Sequence, residues 1–182
     1  MKDLHFTHFP TLTGGRLALR QLSSRDQEDI FALRSDPEIN KYLGRQQAKT
    51  IEDAKTFIDK VNDNFKNNAS IYWAITLANS GAFVGTVCLF DISGENNSCE
   101  IGYELKRAYQ GKGLMKEAIA LVIDFAFQAL ACQEIVATTH RDNLKSNKLL
   151  TGFNFKKSLE PNKDNHHLDI FTLSNPDRHR EI

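Results

Sequence analysis

Little in this chain reads as a leader, a membrane span or a disulfide framework. Among its 182 residues there are three cysteines, an odd number, and Cys88, Cys99 and Cys132 form no C-x-x-C pair. Buried reduced thiols in a reducing compartment are therefore expected. The opening Met1-Lys2-Asp3-Leu4-His5 lacks the apolar core of a signal peptide, and no apolar run approaches the ~18 residues of a membrane span. The sequence reads as soluble and cytoplasmic. Net charge is also missing, with 23 Lys plus Arg against 23 Asp plus Glu. That balance offers no bulk attraction to nucleic acid or to a membrane surface. No G-x-x-x-x-G-K-[ST] phosphate loop is present, and Gly111-x-Gly113 lacks the third glycine of a dinucleotide fingerprint. His166-His167 has no third ligand at a spacing suited to a metal, so no metal is expected.

What is present is a 41% hydrophobic composition, enough for a real core. No repeat, low-complexity segment or linker breaks the chain, so residues 1–182 read as one α+β domain with its core at about 9–173. Arg16 to Leu22 alternates as a strand after the Gly14-Gly15 turn. Ser24-Arg25-Asp26-Gln27 resembles a capping box, and Asp36-Pro37 should end the helix it opens. Thr50 starts a stronger helix whose apolar positions Ile51, Ala54, Phe57, Ile58, Val61 and Phe65 share one face. Ser70 to Leu77, Phe83 to Phe90 and Ser98 to Leu105 form a three-stranded meander joined by Asn- and Gly-containing turns. A long, almost uniformly apolar helix follows to Leu130, then a strand over Glu134 to Thr139, which the intervening helix allows to lie parallel to its predecessor. A short helix over Asn143 to Thr151 and strands near Phe155 to Ser158 and His167 to Leu173 complete the chain, with Asn154 suited to the left-handed conformation that ends a helix.

One junction stands out. Tyr109-Gln110-Gly111-Lys112-Gly113-Leu114-Met115-Lys116-Glu117-Ala118 joins a strand to a helix through two glycines and a lysine. Backbone N–H groups can converge there on an anion, backed by the positive end of the helix dipole. A pyrophosphate is the expected occupant.

This junction, its place in the chain and several further motifs resemble the GNAT (GCN5-related N-acetyltransferase) superfamily, over roughly Phe9 to Leu173. Gln110-Gly111-Lys112-Gly113-Leu114-Met115 is similar to the acyl-CoA signature Arg/Gln-x-x-Gly-x-Gly/Ala, with Met115 where a small residue is usual. Phe9-Pro10-Thr11-Leu12, Arg16-Leu17-Ala18-Leu19-Arg20, Ser35-Asp36-Pro37-Glu38, Glu100-Ile101-Gly102-Tyr103 and Asn143-x-x-Ser146-x-x-Leu149-Leu150 resemble the RimJ/RimL-like branch, which acts on ribosomal-protein N-termini. The resemblance implies a mixed sheet of six to seven strands, helices on both faces, and a fourth and fifth strand splayed apart to admit the pantetheine arm of CoA.

It also implies an acetyl-CoA-dependent transferase, with acetyl-CoA as co-substrate and no metal, in which a neutral amine attacks the thioester directly in a ternary complex. The backbone of Tyr103, Glu104 and Leu105 would bind the arm as a pseudo-strand, with Gly102 marking a bulge or a close backbone approach. Gln110, Gly111, Lys112, Gly113, Leu114, Met115 and Lys116 would hold the pyrophosphate, and Asn143 would bond the pantetheine. Glu100 is the candidate base, and Ser146 the hydrogen-bond donor to the leaving sulfur, since Leu150 stands where many members carry a tyrosine. An oxyanion donor is expected from a backbone N–H near Tyr103 to Leu105.

A protein α-amine, with a pKa of about 8, is already partly neutral at pH 7 and needs only a modest base. The branch resemblance implies a protein N-terminus as the favoured acceptor, ahead of a polyamine, aminoglycoside or amino acid. A non-catalytic acyl-CoA sensor is the remaining alternative. The Pro37 to Gln47 stretch and the last two strands are expected on the acceptor side. Homodimers are common in the resembling branch.

Overall fold

The structure, a computed structural model, describes residues 6, 8–94, 96–160, 162 and 164–176. The opening five residues, read above from sequence, lie outside them, as do positions 161 and 163 between the last two expected strands. The elements run β1 (Leu12–Thr13), β2 (Leu17–Gln21), α1 (Gln27–Ser35), α2 (Pro37–Asn40), α3 (Ile51–Lys66), β3 (Ile71–Leu77), β4 (Phe83–Ser93), β5 (Ser98–Leu105), α4 (Leu114–Gln128), β6 (Glu134–His140), α5 (Leu144–Gly152), β7 (Lys156–Lys157) and β8 (Leu168–Ser174). They form one mixed sheet of eight strands, ordered β1-β2-β3-β4-β5-β6-β8-β7. The two-residue β1 is the strand the sequence pattern did not separate. Every neighbouring pair is antiparallel except β5 and β6, which the α4 crossover joins in parallel.

Two apolar clusters cover the two faces of the sheet. On one, α4 buries Leu114, Met115, Ala118, Ile119, Val122, Ile123, Ala126 and Phe127 against Trp73, Ile75, Val87, Leu89, Ile101 and Ile135. This is the nearly all-round apolar helix the sequence announced. Trp73 is fully buried there, edge-on to Phe125, and its Nε1 donates to Pro10 O at 2.6 Å. On the other face, Ile30 and Leu33 of α1 and Ala54, Ile58 and Val61 of α3 pack over Ala74 and Phe83.

Local chemistry sets the ends of these elements. Thr50 Oγ1 accepts from Asp53 N, and Asp53 returns the bond to Thr50 N, so α3 starts on a complete capping box. The expected box is shifted by one residue and opens the 3-10 turn Ser24–Asp26 that leads into α1: Ser23 N, not Ser24 N, donates to Asp26, which also receives Arg20 in a bidentate pair. α1 ends at Ser35, and Asp36 with Pro37 begins the four-residue α2. Asn154 adopts the expected left-handed conformation, φ 65.

Gly102 carries no bulge. The β4–β5 register is regular through Gly102 opposite Cys88 and shifts only between Phe90 and Ser93. A Cβ at Gly102 would meet the Cys88 sulfur at 3.1 Å, whereas the close backbone approach falls at Gly85, where a Cβ would lie 2.3 Å from Glu104 O. The bulge read at Gly102 is therefore absent, and the tightest approach between the backbones of these two strands falls at Gly85.

Candidate active site

β5 and β6 pair only where they begin, at Ser98–Glu134, Cys99–Ile135 and Glu100–Val136. Beyond Glu100 they part, because β5 stays bonded to β4 as far as Leu105 while β6 follows β8 as far as His140. The splayed pair opens a cleft of about 370 Å³ lined by Ile101, Gly102 and Tyr103 of β5, the end of β6, the start of α5, Leu168 of β8, and residues 42–45.

Alternation decides which backbone groups face this gap. Lys106 N donates to Val84 O at 2.9 Å, toward β4. Two-residue periodicity then turns the amides of Glu104 and Gly102 toward β4 as well, and those of Ile101, Tyr103 and Leu105 toward β6. Of the three backbone partners expected for a pantetheine arm, Tyr103 and Leu105 face the gap and Glu104 does not. The carbonyl of Leu105 already accepts from Gln110 Nε2 at 3.0 Å.

Beyond the end of β5 lies the glycine turn. Gly111 and Gly113 have φ 74 and 75, and Gly113 caps α4. The first-turn N–H groups of α4, from Leu114, Met115 and Lys116, have no intrahelical acceptor. Leu114 and Met115 bury their side chains in the core, so only their amides remain for an anion and the bulk of Met115 is kept out of the turn. Lys112 and Lys116 are exposed. Gln110 is committed elsewhere: its Oε1 accepts from Lys145 Nζ at 3.2 Å, so the side chain ties the end of β5 to α5. Arg16 joins the turn from across the chain. Its backbone N and Nε donate to Glu117, and its Nη1 donates to Lys112 O at 3.0 Å. Sequence spacing has no means of connecting residues 96 positions apart.

At the other side of the cleft, Asn143 caps α5, its Oδ1 accepting from Ser146 N at 3.2 Å. With the oxygen so used, the side-chain N–H groups are what Asn143 can offer a ligand. Ser146 Oγ lies 2.8 Å from Tyr103 Oη. Burial pushes the Tyr103 phenol up to about 12. Leu150 lines the cleft but is fully buried and apolar.

Glu100 projects from the opposite face of β5. Burial pushes its carboxyl above the ordinary range, and neighbouring Asp91 adds to the rise, while bonds from Thr138 oppose it. Thr138 itself lines the cleft; Glu100 stands one residue behind it. Glu104, on the same face, is buried and taken up by Arg45, whose Nη1 and Nη2 reach its two oxygens at 3.1 and 2.5 Å. Tyr72 Oη and Thr86 Oγ1 each donate to Glu104 at 3.3 Å, and Arg45 Nε donates to Asn40 Oδ1 at 2.7 Å. Nothing in the local sequence around Arg45 announced this pairing. Tyr42 packs 5.2 Å from the His140 ring, which stacks in parallel on His167 at 5.8 Å. Among the described residues, no three His, Cys, Asp or Glu side chains gather as a metal site. All three thiols are buried and free. Burial, with the Glu104 charge, pushes Cys88 up to about 12, which makes it a poor nucleophile.

With this geometry in view, the comparisons define a class. The family model described as acetyltransferase (GNAT) domain matches residues 16–156, and the chain belongs to that family. It is an N-acetyltransferase of GNAT type, and members of the family use acetyl-CoA. More particularly, it is 32% identical over 149 residues to the uncharacterized N-acetyltransferase YoaA of Bacillus subtilis, covering 82% of this chain and 84% of that one. In structure it is similar to the ribosomal-protein-S5-alanine acetyltransferase of Vibrio fischeri (TM-score 0.80, 24% identity, 92% of this chain and 98% of that one). It is also similar to RimL, a ribosomal L7/L12 α-N-protein acetyltransferase in complex with coenzyme A (TM-score 0.79, 15% identity, 91% and 98%). At these identities the two structures speak for the fold.

Proposed function

We propose that this protein moves the acetyl group of acetyl-CoA to the α-amine of a protein N-terminus, and that the β5–β6 cleft is where it does so. The observation that carries the acceptor side of this reading is the charge of the cleft. Among the described residues its lining contains Arg45 and no Asp or Glu, and the carboxylate behind Arg45, that of Glu104, is already bonded to it. A polyamine or aminoglycoside brings several positive charges and needs carboxylates to meet them. A peptide N-terminus brings one amine, neutral in part at pH 7 because its pKa is about 8. The structural likeness to two ribosomal-protein acetyltransferases agrees with this choice.

The residues divide the work by face. The amides of Leu114, Met115 and Lys116, with Gly111, Gly113, Lys112 and Arg16, form the pyrophosphate cradle. The Tyr103 carbonyl, the Leu105 N–H and the Asn143 side chain hold the pantetheine amides. On the α5 side, the Ser146 hydroxyl donates to the sulfur as the carbon–sulfur bond breaks. On the α1–α2 side, Glu100 takes the amine proton through a water, and its raised pKa brings it closer to the operating pH. The backbone N–H of Tyr103 donates to the carbonyl oxygen, which leaves the Tyr103 carbonyl and the Leu105 N–H for the pantetheine. The gap past Glu100 is what lets donor and acceptor meet through the sheet.

The deciding experiment is an acceptor panel of N-terminal peptides, polyamines and aminoglycosides, with CoA release as the readout. Turnover confined to peptides with free N-termini is expected. Turnover on polyamines with none on peptides would overturn the acceptor assignment and leave the cleft reading standing.

A further inference from the structure

We infer that Tyr103 is the positioning residue for the leaving thiolate: its hydroxyl donates to Ser146 Oγ, and so aims the single Ser146 proton at the sulfur of CoA. The inference rests on the cleft reading above and adds a group to it. A serine hydroxyl carries one proton and accepts at two lone pairs, so its usefulness as a donor depends on where that proton points. In this cleft the orientation is set by a partner on the facing element. Tyr103 Oη and Ser146 Oγ lie 2.8 Å apart, from β5 on one side and the first turn of α5 on the other, and both residues line the cleft. Tyr103 is half-buried and packs on the α4-side core, which fixes its ring. Ser146 is held from behind, its N–H bonded to the Asn143 cap.

The direction of the bond follows from chemistry. Either hydroxyl can donate across this contact. A phenol is the more acidic O–H and an alcohol oxygen the better acceptor, so Tyr103 is assigned as donor and Ser146 as acceptor. Burial, which raises the phenol to about 12, keeps it protonated. When it donates to Ser146 Oγ, the Ser146 O–H is released from that partner and turns into the cleft. The chain Tyr103 O–H to Ser146 O–H to sulfur then stabilises the thiolate by two linked hydrogen bonds, each polarising the next. No net proton leaves the phenol. The amine nitrogen forms its bond to the acyl carbon as the carbon–sulfur bond breaks, the amine proton goes to Glu100 and on to solvent, and the thiolate, whose ordinary pKa is about 8.5, takes its final proton from water. Leu150, fully buried on the same helix, presents no hydroxyl to the cleft, so the strand supplies the phenol that the helix does not.

The test needs no acceptor. Bound CoA should have a thiol about tenfold more acidic than free CoA, followed by thiolate absorbance as the pH is raised, because hydrogen bonds to the charged form favour it. Tyr103→Phe and Ser146→Ala should each return that acidity toward the free value while leaving CoA affinity within about threefold, a separation that a merely structural role would not give. In turnover, Ser146→Ala should lower kcat roughly 100-fold and Tyr103→Phe roughly tenfold, and the double variant should lose no more than Ser146→Ala alone. Bound CoA whose thiol is as acidic in Tyr103→Phe as in the wild type, or losses that multiply in the double variant, would overturn the inference and leave the cleft reading intact. CoA that fails to bind at all would overturn both.

Discussion

At the scale of single residues, β5 carries carboxylates with opposite fates. Glu104 and Glu100 share a face four residues apart, yet one is neutralised by Arg45 and the other is desolvated beside Thr138. Only the second is free of a cationic partner, which is why we propose it as the base. We therefore expect Glu100→Gln to lower kcat with CoA affinity unchanged, and the wild-type rate to climb with pH through the raised Glu100 pKa, since the base must be ionised. A pH–rate profile unaltered by the substitution would remove Glu100 from the mechanism. Glu104 predicts a stability effect instead. Arg45→Leu strands a buried carboxylate and should cost about 3 kcal/mol in urea unfolding, whereas loss of a surface pair would cost under about 1. Asp26 behaves differently again. Burial acts to raise its pKa, but Arg20 and Ser23 outweigh that and hold it below the usual range. Its contribution to stability is full above the unfolded-state value of about 3.9 and is lost as the pH falls through the depressed folded value. Asp26→Asn should flatten that part of the acid-unfolding curve.

At the scale of elements, the start of α4 is the part most exposed to a single substitution. Gly113 sits at φ 75 as the helix cap, with Arg16 Nη2 3.6 Å from where a Cβ would stand. Gly113→Asp adds a side chain in a left-handed conformation and a negative charge at the proposed anion site. Calorimetric titration should show CoA binding abolished, and unchanged affinity would sink the cradle. Arg16 was legible as part of a strand but not as part of this turn, because the link runs through tertiary contact alone. Elements whose signals were local were read closely. The start of α3 at Thr50, the apolar α4 and the short helix from Asn143 followed from spacings of three or four residues. The α1 box slipped by one because Ser23 and Ser24 are adjacent and either pattern fits.

At the scale of the molecule, the defining feature is a parallel pair that ends early. Saturating CoA should bridge the glycine turn, β5 and α5, and stabilise the fold by about 2.7 kcal/mol at a hundred times its Kd, read as a rise in Tm. The order of strands and helices, the glycine turn and the Asn143–Ser146 helix start were enough to name the fold and the donor, because each rests on residues near one another in the chain. The sequence alone thus determined the elements and the family resemblance, and it supplied the glycine turn we propose as the phosphate cradle. Only the tertiary structure decided the rest: which amides of β5 face the gap, that Glu104 is spent on Arg45, that Arg16 reaches the turn and that Tyr103 meets Ser146. Those depend on strand register and on contacts between residues tens of positions apart, and such distances leave no local pattern in a sequence.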